Sequence, residues 1–221
     1  IDPNNQIGCM LAAGSYYPET CKPEDYWQAI CDNREVYMFA DVQARGYYHN
    51  YALKWLEERN AKIPFEKGDK ELLKENTVDF VSFSYYSSRV SSSDLSKGQQ
   101  SESNIFASAK NPYLKENQWN WPIDSIGLRY TLNRIYDRYH IPIFITENGL
   151  GIADTVIKDK EGHLIIDDNE RIDYLKEHIE QMHLAIDDGV DVFGYTAWTV
   201  FDLVSLGTGE FKKRYGFIYV D

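Results

Sequence analysis

The chain has 221 residues, and 23 lysines and arginines against 35 aspartates and glutamates give it a formal net charge of −12. Hydrophobic residues make up 43% and aromatic residues 14%, which is enough for a substantial core and excludes a largely disordered chain. A chain this acidic has no extended basic face, so nucleic acid is not expected as a partner.

Four short apolar runs divide the chain, and all four are rich in β-branched and aromatic residues. Runs of this kind predict buried strands of a parallel sheet. In chain order they span residues 7–11, 78–86, 141–146 and 190–198.

Helical patterns separate the four runs. Residues 25–60 are predicted to be mostly helical, and residues 123–139 and 168–188 are each predicted as a helix, the last with Asp168 or Asn169 as its cap and Gly189 as its stop. Apolar residues at helical spacing are expected to face the core. They are Tyr26, Ile30, Val36, Phe39, Tyr51, Leu53 and Leu56, then Ile126, Leu128, Tyr130, Leu132, Ile135 and Tyr136, and finally Ile172, Leu175, Ile179, Met182 and Ile186.

The alternation of strand and helix predicts an α/β architecture with right-handed crossovers. Four strands would form an open sheet or half of an eight-stranded barrel. Long polar segments follow the strands: residues 87–118 form a long loop, and residues 158–168 are predicted as a small hairpin. In α/β barrels, loops at the carboxyl ends of the strands carry the chemistry.

A single carboxylate stands out at the end of the third run. The strand ends at Glu147, and Asn148 and Gly149 then allow an abrupt turn. Burying a carboxylate beside a strand costs several kcal/mol unless partners hold it. From these residues alone, a turn or helix-capping role for Glu147 is an equal alternative to a catalytic one.

The sequence Phe-Ile-Thr-Glu-Asn-Gly around Glu147 resembles the nucleophile motif of glycoside hydrolase family 1, the retaining β-glycosidases built on a (β/α)8 TIM barrel. Further segments resemble that family's sixth strand, the segment before the nucleophile strand, the helix after it and the eighth strand. These segments are residues 78–86, 121–124 with 127–129, 171–175 and 194–198.

The resemblance covers essentially the whole chain, from about strand 5 to strand 8. It implies that residues 1–221 are a single partial domain, the C-terminal portion of the barrel, whose partner is the N-terminal half of the same barrel. The absence of an initiator Met at Ile1 agrees with a fragment.

The resemblance also implies roles for individual side chains. Glu147 would be the nucleophile, and Tyr86 would hydrogen-bond its carboxylate. Trp198 would lie under the sugar ring, and Trp121 would lie beside the leaving group. Ser84 stands where many family members have Asn, which puts side-chain support at that position in doubt.

The family's second carboxylate, the acid/base, lies in a Thr-Phe-Asn-Glu-like motif at the end of strand four, and no Glu or Asp here has that context. The isolated chain is therefore expected to be inactive. No metal is expected, because His178 and His183 do not form a HExxH-type pair, and no cofactor is expected either.

The end of the chain points to a subgroup of the family. Ordinary β-glucosidases have a Glu-Trp pair where this chain has Ser205 and Leu206, and the downstream Lys-Lys-Arg-Tyr-Gly run resembles the 6-phospho-β-glycosidases. A Glu there would repel a phosphate, whereas hydroxyl and ammonium groups donate hydrogen bonds to it. By this analogy Ser205, Lys213 and Tyr215 bind phosphate, with Lys212 as the alternative to Lys213. In the purely structural alternative, residues 212–214 form a solvent-exposed basic turn before a strand. Leu206 replaces a Trp common in phospho-galactosidases, which favours a glucoside.

The expected function is retaining hydrolysis of 6-phospho-β-D-glucosides to glucose 6-phosphate and an aglycone. A 6-phospho-β-galactosidase and a non-catalytic sugar-phosphate binding or sensor module are the alternatives. No run approaches the roughly 20 apolar residues of a membrane span, so no membrane partner is expected. Three cysteines without a CxxC pair favour a reducing, cytoplasmic setting.

Overall fold

The computed structural model describes residues 2, 4–94, 96 and 108–220. Within the predicted loop 87–118, residues 95 and 97–107 lie outside the described residues. In chain order the elements are β1 (Gly8–Ala13), β2 (Tyr16–Pro18), α1 (Pro23–Arg45), α2 (Asn50–Glu58), α3 (Asp69–Glu75), β3 (Phe80–Tyr85), β4 (Arg89–Ser91), α4 (Ser125–Tyr139), β5 (Ile143–Glu147), β6 (Val156–Lys158), β7 (Leu164–Ile166), α5 (Asn169–Asp187) and β8 (Val192–Tyr195).

The central element is a four-stranded, fully parallel sheet in the order β1-β3-β5-β8. Each of the four predicted apolar runs overlaps one of these strands, with β1 and β5 ending one or two residues beyond their runs, which confirms the predicted α/β class. Helices connect successive strands of the sheet, as parallel pairing requires. The predicted hairpin is present as β6 and β7, whereas the short parallel pair β2 and β4 was not predicted.

The main core lies between this sheet and the helices that cover it. Alternate strand residues, among them Phe83 and Ile145, are fully buried and pack against Leu128, Leu132 and Ile135 of α4. Those three helix residues confirm part of the predicted α4 stripe, whereas Ile126 and Tyr130 of the same stripe are exposed. Burying one large apolar side chain contributes roughly 1.5–3 kcal/mol, so this layer holds the strands in place.

The predicted helical stretch at residues 25–60 consists of two helices. Helix α1 ends where Gly46 adopts the left-handed conformation (φ 76°), which favours glycine. The prediction that Tyr26 and Phe39 face the core is wrong, because both side chains are exposed; Leu53 of α2 is also exposed. The core face of α1 instead carries smaller or polar-tipped residues such as Tyr37.

Helix α5 confirms only part of the predicted core-facing stripe. Ile172, Ile179 and Ile186 are 57%, 45% and 43% exposed, whereas Tyr174 and His178 are buried. Of the predicted stripe, Leu175 and Met182 are partly buried and pack against the core clusters, whereas the three isoleucines do not lie on the buried face. The largest buried side chains of α5 are polar, and hydrogen bonds and an ion pair offset the free-energy cost of burying them. Hydrophobic periodicity does not detect such a face.

Helix α5 begins next to an ion pair and ends at a glycine. Asp168 occupies the N-cap position, but its side chain makes no capping hydrogen bond and accepts one from Arg171 instead. Gly189, at φ 103°, follows the last turn and confirms the predicted stop. Over the described ranges, no helix is both long enough and apolar enough to cross a membrane.

Candidate active site

The predicted site residues lie at one edge of the sheet. Tyr86 directly follows β3, Glu147 is the last residue of β5, and Trp198 comes three residues after β8. Trp121 precedes α4. The other three lie in residues 199–220, here called the carboxyl-terminal segment. Parallel strands end at the same edge, so their terminal side chains converge there.

A cavity of about 260 Å³ opens at this edge. Six of the seven predicted site residues line it: Tyr86, Trp121, Glu147, Trp198, Ser205 and Tyr215. Lys213 does not line it but lies directly behind the Trp121 ring. Among the described lining residues Glu147 is the only carboxylate.

Glu147 and Tyr86 form a direct pair across two neighbouring strands. The Tyr86 hydroxyl donates a hydrogen bond of 2.8 Å to Glu147 Oε2. Burial, and then the adjacent Glu147 carboxylate, hold the pKa of Tyr86 well above its usual range. The phenol therefore stays protonated and acts as the donor in this hydrogen bond.

The residue after Glu147 is fixed by hydrogen bonds from three directions. The fully buried Asn148 amide donates to the Tyr85 carbonyl (2.8 Å) and to the Tyr174 hydroxyl (3.1 Å). Its Oδ1 accepts from the Tyr195 hydroxyl at 2.9 Å. Asn148 thus connects β3, α5 and β8 directly behind Glu147.

Gly149 allows the turn after β5 to approach the end of β8. A Cβ at this position would lie 2.0 Å from the Trp198 carbonyl oxygen, so any side chain would force the two segments apart. The Trp198 amide also donates to the Asn148 carbonyl at 2.8 Å. These contacts fix Trp198 relative to Glu147.

Lys213 is a fully buried cation surrounded by aromatic rings. Its Nζ lies 3.9 Å from the Trp121 ring centroid, 5.2 Å from that of Trp119 and 5.8 Å from that of Tyr215. Among the described residues it has no hydrogen-bond partner. Burial lowers the pKa of Lys213 to about 8. Cation–π contact offsets part of the desolvation cost but leaves three N–H donors unused.

Its neighbours in the carboxyl-terminal segment differ in exposure. Ser205 and Tyr215 are buried beside the cavity, whereas Leu206 is 89% exposed at its rim. Lys212 is exposed, and its Nζ lies 3.0 Å from Glu210 Oε1. Of the two adjacent lysines, therefore, Lys213 is the one that is directed into the protein.

The carboxyl-terminal segment is tied to the loop after β5. Ile152 and Arg214 exchange two backbone hydrogen bonds of 2.9 Å each. The Arg214 guanidinium also bonds Asp202 at 2.7 Å, and the buried Arg171 of α5 bonds Asp154 at 2.7 Å. These contacts fix Lys213 and Tyr215 relative to β5.

Several residues that line the cavity were not predicted from the sequence. Arg89 of β4 is buried there, and its guanidinium lies 5.3 Å from the Tyr16 ring centroid. Arg89 follows the predicted strand 78–86 by three residues, and a charged residue just beyond the carboxyl end of a strand is a sequence signal that could have identified it. Ser87 and Met10 also line the cavity, and no sequence pattern distinguishes them.

One group of described residues has the composition of a metal site. The ligand atoms of Asp159, Glu161 and His163, at the tip of the β6–β7 hairpin, lie within 4.8 Å of one another. The Asp159 carboxylate accepts one hydrogen bond from the His163 backbone amide, and its Oδ2 lies 3.0 Å from His163 Nδ1. None of the three lines the cavity, so this group is separate from the site.

Comparisons with known proteins agree with this geometry. The chain matches the family model of glycosyl hydrolase family 1 over residues 1–221. It is 50% identical to the 6-phospho-beta-glucosidase AscB of Escherichia coli and 51% identical to the aryl-phospho-beta-D-glucosidase BglH of Bacillus subtilis. In both cases the match covers 100% of this chain and 46% of the relative, so the chain spans about half the length of these curated relatives.

A solved structure with the same architecture is a β-glucosidase from Thermotoga maritima in complex with glucoimidazole. The TM-score is 0.79 at 28% identity, and the match covers 98% of this chain and 46% of that one. The four-stranded parallel sheet with its helices is therefore part of a TIM barrel, as the sequence predicted.

Proposed function

Because the chain belongs to glycosyl hydrolase family 1, we propose that the protein containing it hydrolyses 6-phospho-β-D-glucosides with retention, releasing glucose 6-phosphate and an aglycone. The relatives at about 50% identity, which are named as phospho-β-glucosidases, support this substrate class. The observation that carries the proposal is that a tyrosine-paired carboxylate lines the cavity, and that a buried ammonium without a hydrogen-bond partner among the described residues lies against Trp121 and Tyr215, which line the same cavity.

In the proposed mechanism Glu147 attacks the anomeric carbon and forms a covalent glycosyl-enzyme intermediate. A second carboxyl group, about 5–5.5 Å away, protonates the departing aglycone oxygen. The same group then takes a proton from the water that hydrolyses the intermediate. Tyr86, at 2.8 Å from Glu147, holds the attacking carboxylate in orientation during both steps.

We propose that the second carboxyl group comes from the N-terminal half of the same barrel. Glu147 is the only carboxylate among the described residues of the cavity. The outer strands of the sheet, β1 and β8, expose apolar side chains, among them Met10 and Phe193. An unpaired parallel edge with an apolar face is suited to pairing with further strands. The isolated chain is then inactive, because a positioned proton donor contributes about 10²- to 10⁴-fold.

In this proposal the substrate phosphate binds between Ser205, Lys213 and Tyr215. Burial raises the pKa of Tyr215 above its usual range, so its hydroxyl remains a donor. A phosphate oxygen would supply the Lys213 ammonium with the charged acceptor that it lacks among the described residues. Trp198 would lie under the sugar ring, and Trp121 beside the aglycone.

The exposed Leu206 at the rim favours the glucoside over the galactoside, because a larger aromatic side chain at this position is common among phospho-galactosidases. A cytoplasmic location is part of the same proposal. Cys9, Cys21 and Cys31 are all free thiols, and thiols stay reduced in that compartment.

The test compares three substrates on the full-length protein: the nitrophenyl 6-phospho-β-D-glucoside, its galactoside counterpart and the plain β-D-glucoside. We expect the highest kcat/KM for the phosphorylated glucoside and the β-anomer as the first product detected by NMR. Faster cleavage of the plain glucoside would show the phosphate assignment to be wrong. Binding of glucose 6-phosphate without turnover of any substrate would instead indicate the sensor module.

A further inference from the structure

Tyr174 of α5 lies close to the Glu147–Tyr86 pair and forms hydrogen bonds with both Asn148 and the Tyr86 backbone. It is 3% exposed. Its hydroxyl accepts a hydrogen bond from Asn148 Nδ2 at 3.1 Å and donates one to the Tyr86 carbonyl oxygen at 3.2 Å. Burial holds the pKa of Tyr174 above its usual range, so the hydroxyl keeps the proton that it donates.

The Tyr174 ring is itself held by His178, one turn further along α5. The two rings stack with centroids 3.8 Å apart and an interplanar angle of 25°. Burial lowers the pKa of His178 to about 4, so the imidazole is neutral at pH 7. His178 Nδ1 lies 2.7 Å from the Tyr174 carbonyl oxygen. In the neutral tautomer that carries its proton on Nδ1, the imidazole donates a hydrogen bond to this oxygen. This contact fixes the imidazole against the helix and the Tyr174 ring against the imidazole.

Tyr86 needs such support because it lies outside the regular sheet. Strand β3 ends at Tyr85, and Tyr86 occupies the bend that follows. The Tyr174 hydroxyl bonds the Tyr86 backbone, and the Tyr86 side chain bonds Glu147 at 2.8 Å. A displacement of about 1 Å at a reacting group can cost 10²-fold in rate, so a contact that fixes the Tyr86 backbone affects the position of the carboxylate.

We propose that Tyr174 is a positioning residue that sets where Tyr86 presents its hydroxyl to Glu147. Its hydroxyl holds the Tyr86 carbonyl, while the Asn148 amide and the stacked His178 hold the Tyr174 side chain itself. The inference rests on the proposed function of Glu147 as the nucleophile. Tyr174 acts through Tyr86 and does not itself reach the cavity, since it is absent from the cavity lining.

The first test is Tyr174→Phe in the full-length protein, which keeps the stacked ring and removes only the hydroxyl. We expect kcat for the nitrophenyl 6-phospho-β-D-glucoside to fall about 10- to 100-fold, and KM to stay within about 3-fold, because the substrate contacts are untouched. The matched control is Tyr37→Phe, another buried tyrosine, 2% exposed, in α1 within the main core. It should lose a similar amount of thermal stability but retain wild-type kcat.

The second test separates positioning from general destabilisation with a double-mutant cycle on kcat. In a Tyr86→Phe background the effect of Tyr174→Phe should shrink to less than about 3-fold, because the hydroxyl that Tyr174 positions is gone. Additive losses in the two variants, or wild-type kcat in Tyr174→Phe alone, would overturn the proposal.

The two proposals fail in distinguishable ways. If the unsubstituted protein prefers the plain glucoside, the phosphate assignment is wrong, and the same cycle on that substrate still decides the role of Tyr174. If the unsubstituted protein cleaves no β-glycoside at all, the proposed function and the positioning role are both overturned.

Discussion

The two sides of the cavity are built in different ways. Glu147 ends β5, which lies between β3 and β8 in the sheet. The amide of the adjacent Asn148 has hydrogen-bond partners on both its nitrogen and its oxygen. The carboxyl-terminal segment consists of turns and isolated bridges, and the buried Lys213 ammonium within it has no hydrogen-bond partner among the described residues.

The difference indicates how each side meets its ligand. The Glu147 side has its internal hydrogen bonds in place before any ligand binds, which is the preorganisation that the proposed bond-forming step requires. The carboxyl-terminal side holds a desolvated cation whose donors are unused, and a charged acceptor from outside would complete it. This contrast fits the proposed roles, chemistry for the first region and recognition for the second.

The largest expected effect comes from removing the charge on the preorganised side. Glu147→Gln keeps the size of the side chain and abolishes the nucleophile, so kcat should fall about 10⁴-fold or more on both the phosphorylated and the plain glucoside. Steady-state kinetics on the full-length protein measures this. The control is Glu180→Gln on the exposed face of α5, which should retain wild-type turnover; wild-type turnover in Glu147→Gln would refute the assignment.

An intermediate effect is expected on the recognition side. Lys213→Ala removes a charged donor, so KM for the phosphorylated glucoside should rise about 10- to 100-fold while KM for the plain glucoside stays nearly constant. Lys212→Ala is the matched comparison, because Lys212 is exposed and paired with Glu210. It should change KM less than about 3-fold. The reverse result would assign the phosphate to Lys212.

The smallest expected effect is a pH dependence confined to the recognition side. Burial lowers the pKa of Lys213 to about 8, so the ammonium loses its charge as the pH rises through that value in the free protein. If the phosphate binds the protonated form, as proposed, KM for the phosphorylated glucoside should rise about fivefold between pH 8 and pH 9. The plain glucoside should show no such rise. Lys213→Ala, which has no group to titrate there, should give a flat profile.

The sheet was predictable from the sequence, whereas the orientation of α5 was not. The four strands read as continuous apolar runs, which is a strong signal even though the outer strands β1 and β8 leave Met10 and Phe193 exposed. Helix α5 buries Arg171 and His178 and exposes Ile179. Such a polar face is stable only through partners distant in sequence, such as Asp154 for Arg171, and a single helix does not reveal them.

The site divides in the same way. Glu147 and Tyr86 follow predicted strands within a recognisable motif, and the structure brings them together at 2.8 Å. The sequence pointed to Lys213 only by resemblance, and nothing in it indicated that this lysine is enclosed by Trp119 and Trp121. Cavity residues on short irregular segments, such as Ser87, carry no periodic signal at all.

The pair of hydrogen bonds between Ile152 and Arg214 has a consequence for recombination between related genes. These bonds join two stretches that α5 and β8 separate in the chain. A crossover placed within α5 would combine a loop and a carboxyl-terminal segment from different parents. A crossover ahead of residue 143 would transfer both stretches together, along with the strand between them. Chimaeras made at the second point should therefore inherit the substrate preference of the donor as an intact unit.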